Sequence, residues 1–122
     1  MHFIVFILTA WGKRKVAQKL KDSLEINKFD RILELGTSRG GLTYFLSTIF
    51  DGPIITVDNE TKYIDQKVYS VARVMKADHM SFETQKFLHK EFISKEGKTL
   101  VLCDGGDKPS IFNAFAALDF IA

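Results

Sequence analysis

Short apolar runs recur along this chain, and each stops at a glycine or an aspartate. Arg31-Ile32-Leu33-Glu34-Leu35 ends at Gly36, Ile54-Ile55-Thr56-Val57 at Asp58, Val71 to Met75 near Ala77-Asp78, and Thr99-Leu100-Val101-Leu102-Cys103 at Asp104. Between the runs, apolar residues return at helical spacing: Leu42, Phe45, Leu46 and Ile49, then Leu88 and Phe92, then Ile111, Phe115 and Leu118. Strands this short and this apolar must be covered on both faces, and an intervening helix lets successive strands run parallel. The pattern predicts an α/β three-layer sandwich around a mainly parallel sheet of four strands.

The punctuation supports the same division. Asp51-Gly52-Pro53 is a turn signal before the second strand. Lys62 to Ser70 reads as helical. Ser81 is the expected N-cap of a helix running to about Lys95, with Gly97 as its stop, and Pro109 or Ser110 opens the last helix. Upstream, Val16, Leu20 and Leu24 make Lys13 to Asn27 an amphipathic helix. No repeat, low-complexity tract or linker divides the 122 residues, so they form one domain: an N-terminal apolar segment and helix (1–27) before a core (28–122).

The apolar stretch from His2 to Trp11 is followed by Gly12-Lys13-Arg14-Lys15. As a helix it would reach about half of a ~30 Å hydrocarbon core, so no transmembrane segment is expected. A secretory signal would carry its positive charge before the apolar run rather than after it. The segment is expected to pack against the protein or a partner. A net charge of +2 gives no case for nucleic acid. The single cysteine, Cys103, excludes an internal disulfide and suits a reducing, cytoplasmic setting.

The crevice of a parallel α/β sheet lies at the carboxyl ends of its strands, and all four ends here are polar or glycine. After the first strand the chain reads Gly36-Thr37-Ser38-Arg39-Gly40-Gly41. Gly36 allows a backbone conformation closed to other residues and lets a ligand lie against the main chain. Gly40 and Gly41 let the next helix start close to the strand, its free N–H groups facing the ligand. Asp58 then stands at the ~20-residue spacing at which dinucleotide folds place the acid that binds the ribose hydroxyls. Glycine turn and spaced acid together predict a nucleotide-binding, Rossmann-like crevice.

Ile32-Leu33-Glu34-Leu35-Gly36 followed by Gly40 resembles the first motif of class I S-adenosylmethionine-dependent methyltransferases, over about residues 28 to 122. The resemblance implies a ribose-binding role for Asp58, adenine recognition by Asp78 with His79 lining the pocket, and a place for Asp104 facing the reacting methyl. Ser38 stands where the second glycine often occurs. The Glu-Leu-Gly-Thr-x-x-Gly-Gly version is similar to a branch containing cephalosporin-hydroxylase-like proteins and sugar O-methyltransferases. That branch implies Glu34 near the methionine end of the cofactor, with Thr37 and Ser38 hydrogen-bonding its carboxylate. Asp104-Gly105-Gly106-Asp107-Lys108 is similar to the Asp-x-x-Lys of catechol-type enzymes, which implies Mg2+ on Asp104 and Lys108 as base, although the lysine lies one position further on. His89 is expected to face solvent, and Cys103 to be a small core residue.

Family members continue through three further strands, so the fold is expected to be incomplete relative to their seven-stranded sheet, either as a fragment or as a homo-oligomer that completes the sheet. The expected function is methyl transfer to an oxygen of a small-molecule acceptor. A non-catalytic S-adenosylmethionine-binding or interaction module is the alternative. A NAD-dependent oxidoreductase is a third, with the Gly36, Gly40, Gly41 spacing fitting Gly-x-Gly-x-x-Gly poorly.

Overall fold

The computed structural model of the chain describes residues 3–7, 18–22, 24–25, 28–103 and 108–121. Five strands form one sheet: β1 (Phe3–Ile7), β2 (Arg31–Leu35), β3 (Ile54–Asp58), β4 (Arg73–Lys76) and β5 (Thr99–Cys103). Their order is β1-β5-β2-β3-β4, and every neighbouring pair is parallel. Helix α1 (Gly41–Ile49) follows β2, a turn of 3-10 helix (Gln66–Ser70) follows β3, and α2 (Phe82–Leu88) follows β4. α2 runs into one wide π turn (His89–Ile93), and α3 (Lys108–Ile121) follows β5. Residues 18–22 and 24–25 are also helical.

Period-two alternation along the strands sends side chains to two separate cores. Leu33, Leu35, Ile55, Val57, Val101 and Cys103 meet Leu88, Phe92, Ile93 and Phe115 on the face covered by α2, the π turn and α3. Ile32, Ile54, Leu100 and Leu102 meet Leu46 of α1 together with Leu20 and Phe29 on the other. Each fully buried aliphatic or aromatic side chain of these clusters contributes ~1.5–3 kcal/mol of burial. The molecule is thus the three-layer α/β sandwich that the alternation predicts, and Cys103 is the core residue expected.

Three local features depart from the sequence reading. The apolar N-terminal run supplies a fifth strand, Phe3–Ile7, paired with β5 from Phe3↔Thr99 to Ile7↔Cys103. Five residues of continuous apolarity carry no periodicity that separates helix from strand, so the decision falls to the free β5 edge. That edge of β5 is therefore paired within the chain. Of the expected helix from Lys62 to Ser70 only Gln66–Ser70 is helical, as a short 3-10 turn, with Asp65 accepting from the Lys67 N–H at 3.1 Å as its N-cap. The helix from Ser81 starts as expected, its hydroxyl accepting from the Thr84 N–H at 3.3 Å, but it widens at His89. His89 shares the inward face of α2 with Gln85 and Leu88 and lies in the interior at 4% exposure, which corrects its expected solvent-facing position.

Strand order fixes where a ligand can bind. Counting from β2, the run β4-β3-β2-β5 reads 3-2-1-4, the doubly wound order, with β1 in the fifth place. Chain direction across the sheet reverses between β2 and β5. The switch-point crevice therefore opens at the carboxyl ends of β2 and β5, past the register partners Leu35 and Cys103.

Candidate functional site

At the carboxyl end of β2, the Gly36 N–H continues the ladder to the Val57 carbonyl at 2.8 Å, and the chain then turns with φ +102° at Gly36 and +55° at Ser38. These two left-handed residues turn successive N–H groups toward the end of β3. The Thr37 and Ser38 N–H groups both donate to Asp58 Oδ2 at 3.0 Å. The Glu60 N–H donates to Oδ1 at 3.1 Å. Glycine turn and spaced acid, separate in the sequence, are thus one hydrogen-bonded unit.

A carboxylate has about four acceptor sites. Three N–H groups occupy three of them at Asp58, leaving one on Oδ1. Partial burial raises the Asp58 pKa, but the Ser38, Glu60 and Thr37 N–H groups and the positive field of His79 outweigh it, and the net displacement is downward. His79 therefore lies within electrostatic reach of the acid, and its carbonyl accepts from Gln85 Nε2 at 3.0 Å, tying the loop after β4 to α2.

Beneath the turn lies a polar cluster inside the sheet. Glu34 is fully buried, and its Oε1 accepts from the Thr43 hydroxyl and from the Thr56 hydroxyl, the latter at 2.6 Å. The Thr56 hydroxyl has one hydrogen, and it points to Glu34. The 2.6 Å contact between Thr37 and Thr56 hydroxyls is then donated by Thr37. Both Thr37 donors, N–H and O–H, are directed to protein groups in this arrangement, whereas Ser38 is exposed at the loop surface. Sequence reasoning singled out Glu34 and Thr37 but not Thr43 or Thr56. Their signal was a threonine at a strand position flanked by Ile55 and Val57, and another one turn into α1.

Gly40 caps α1 with φ +93°. A Cβ there would come within 2.3 Å of Val68 Cγ2. The close approach that requires glycine is therefore to the 3-10 turn, not to the strand, and Gly41 has open space around it. The Asp65 N–H donates to the Arg39 carbonyl at 2.9 Å, fastening the same turn to the loop.

Asp78 is exposed beyond β4, where its Oδ1 accepts from the Met80 N–H at 2.9 Å. The Ala77 N–H donates to the Asp58 carbonyl at 3.0 Å, so the ends of β3 and β4 stay in step. Asp104 lies outside the described residues, as does the side chain of Lys108. Among the described residues, no three His, Cys, Asp or Glu side chains gather as a metal site. Two surface hollows, of about 580 and 470 Å³, lie at the amino ends of the strands, away from Gly36 and Asp58. No described helix is long and apolar enough to cross a membrane.

Fold and site together define an all-parallel α/β domain of Rossmann-like arrangement, with a glycine loop and an acid at its switch point. No protein-family model matches the chain, and no curated protein matches it in sequence.

Proposed function

We propose that the chain binds S-adenosylmethionine at the carboxyl ends of β2 and β3 and transfers its methyl group to an oxygen of a small-molecule acceptor. The observation that carries this reading is the union of the Gly36 turn with Asp58 beside the reversal of strand order. The residues present fit a nucleoside. The remaining acceptor site on Asp58 Oδ1 suits a ribose hydroxyl, Gly36 puts no side chain over the loop backbone, and exposed Ser38 offers a hydroxyl beside it.

When bound, the cofactor supplies an electrophilic methyl group. The chain's contribution is positional: the Glu34–Thr43–Thr56–Thr37 network fixes the loop from below, and Asp58 fixes it from the side. Asp78 and His79, beyond the neighbouring strand, would meet the adenine, and Asp104 takes the acceptor role that the resemblance implies. A magnesium ion on Asp104, which the resemblance implies, belongs to the same proposal.

Calorimetric titration of the full chain with S-adenosylmethionine, S-adenosylhomocysteine and NAD tests it. S-adenosylhomocysteine should bind with a micromolar Kd, or about −8 kcal/mol. Binding of NAD with no response to S-adenosylhomocysteine would overturn the reading. Binding without methyl transfer to any oxygen acceptor would leave a cofactor-binding module in place of an enzyme.

A further inference from the structure

In a dinucleotide fold the acid after the second core strand holds the ribose, and the loop and helix start beside it receive the diphosphate. Successive backbone N–H groups of such a loop form a concave nest for an anion. Here two of those N–H groups, of Thr37 and Ser38, already converge on one carboxylate oxygen at 3.0 Å each. The anion in this nest belongs to the protein itself.

We infer that Asp58 is the built-in anion of the loop between β2 and α1, and that it restricts the crevice to nucleosides carrying no phosphate beside that loop. Three geometric facts support this. Asp58 Oδ2 holds both loop donors, so a diphosphate could take them only by displacing the carboxylate. The Glu60 N–H holds Oδ1 at 3.1 Å, so the carboxylate is fixed from both sides. The loop donors lie next to the acceptor site left for a ribose hydroxyl, so phosphates attached to that ribose would meet a fixed negative charge at short range. The downward displacement of the Asp58 pKa keeps that charge in place at neutral pH. A substituent with no net negative charge, such as the zwitterionic amino acid of S-adenosylhomocysteine, meets no such net penalty. Asp58 is in this sense a positioning and specificity residue.

This inference rests on the crevice being a nucleoside site, and the two can fail separately. The experiment is a titration of the full chain with adenosine, S-adenosylhomocysteine, ADP and NAD at low and high salt, repeated on Asp58→Asn. The natural protein should bind adenosine and S-adenosylhomocysteine at least about tenfold more tightly than ADP, with the gap narrowing as salt rises. Asp58→Asn should weaken adenosine and shrink the gap by about tenfold, because the amide keeps the size and loses the charge. ADP binding as tightly as adenosine would overturn the inference while leaving a nucleotide site intact. Failure of all four ligands to bind would overturn both readings. The ratio in the natural protein decides the matter even if Asp58→Asn folds poorly. Amide hydrogen exchange gives a second measure: the Thr37 and Ser38 N–H groups should be protected without ligand, and unprotected amides there would also overturn it.

Discussion

The two ends of the sheet are tied by opposite means. At the amino end a cation reaches across the strands to carbonyl groups. Arg31 Nη1 donates to the Phe92 carbonyl at 3.0 Å and to Thr99 Oγ1 at 2.8 Å, and its Nη2 donates to the Glu96 carbonyl at 2.5 Å. Asp30 completes the staple, accepting from the Lys98 N–H at 2.6 Å while its own N–H donates to the Lys98 carbonyl at 2.8 Å. At the carboxyl end an anion, Asp58, gathers N–H groups of the β2–α1 loop. The amino end joins β2 to the segment before β5 and is a matter of stability. The carboxyl end joins β2 to β3 and retains an acceptor and an exposed hydroxyl at a crevice. A fold can use the same chemistry, charged side chain to backbone, for fastening at one end and, in the function proposed above, for recognition at the other.

Each end has a glycine at positive φ, and these offer the sharpest break of the comparison. Gly40→Ala should be the most damaging, by about 3 kcal/mol, since it adds left-handed strain to a collision with branched Val68 in a closed setting. A fall in the urea midpoint at unchanged slope would measure it. Arg31→Ala should cost about 2 kcal/mol by leaving the Phe92 and Glu96 carbonyls without their cationic donor. Its effect on nucleoside affinity should be negligible, as the staple lies at the far end of the strands, and a tenfold loss of affinity in folded protein would break the division drawn here. Gly97→Ala should cost about 1–2 kcal/mol, because φ +103° strains any side chain and its Cβ would press within 3 Å on the Asp30 carboxylate and Arg31 Nη2 that make the staple.

The smallest expected effect concerns acid. The Asp58 pKa is lowered in the folded state, so its contribution to stability is fully present above the ordinary carboxylate value of ~3.9 and is lost as pH falls below it through the folded value. The stability difference between the natural protein and Asp58→Asn should stay constant above about pH 5 and shrink below about pH 4. A difference growing toward low pH would contradict the direction of that displacement.

Much of the site was legible because its residues announce themselves by type. Glycine at Gly36 and Gly40 marks backbone that other residues resist, and an acid at the end of an apolar strand, as at Asp58, has little reason to be there unless it is paired or exposed. What could not be read was which groups face one another. Ser81 capped its helix as its sequence suggests, yet the π turn that follows depends on Phe92 and Ile93 finding the core while the Phe92 carbonyl meets Arg31. His89 lies inside because it falls one helical turn after buried Gln85 and beside Leu88, on the face that α2 turns to the core, which its neighbours Lys86 and Lys90 concealed in the sequence. Thr56 looked like an ordinary β-prone residue, and only the strand pairing Glu34↔Thr56 shows its hydroxyl serving a buried acid.

The sequence by itself determined the alternation of strands and helices, the two-faced burial of the sheet and the polar character of the strand ends. These follow from local periodicity and residue chemistry, which a linear chain already contains. Tertiary structure alone decided the rest: that Phe3–Ile7 is a strand beside β5, that Gly40 is required by Val68, and that the Asp58 carboxylate holds the loop's own donors. Each of these depends on a partner distant in sequence. No local preference selects such a partner, because the free energy that does so appears only when edges, cavities and unpaired donors meet in the folded chain.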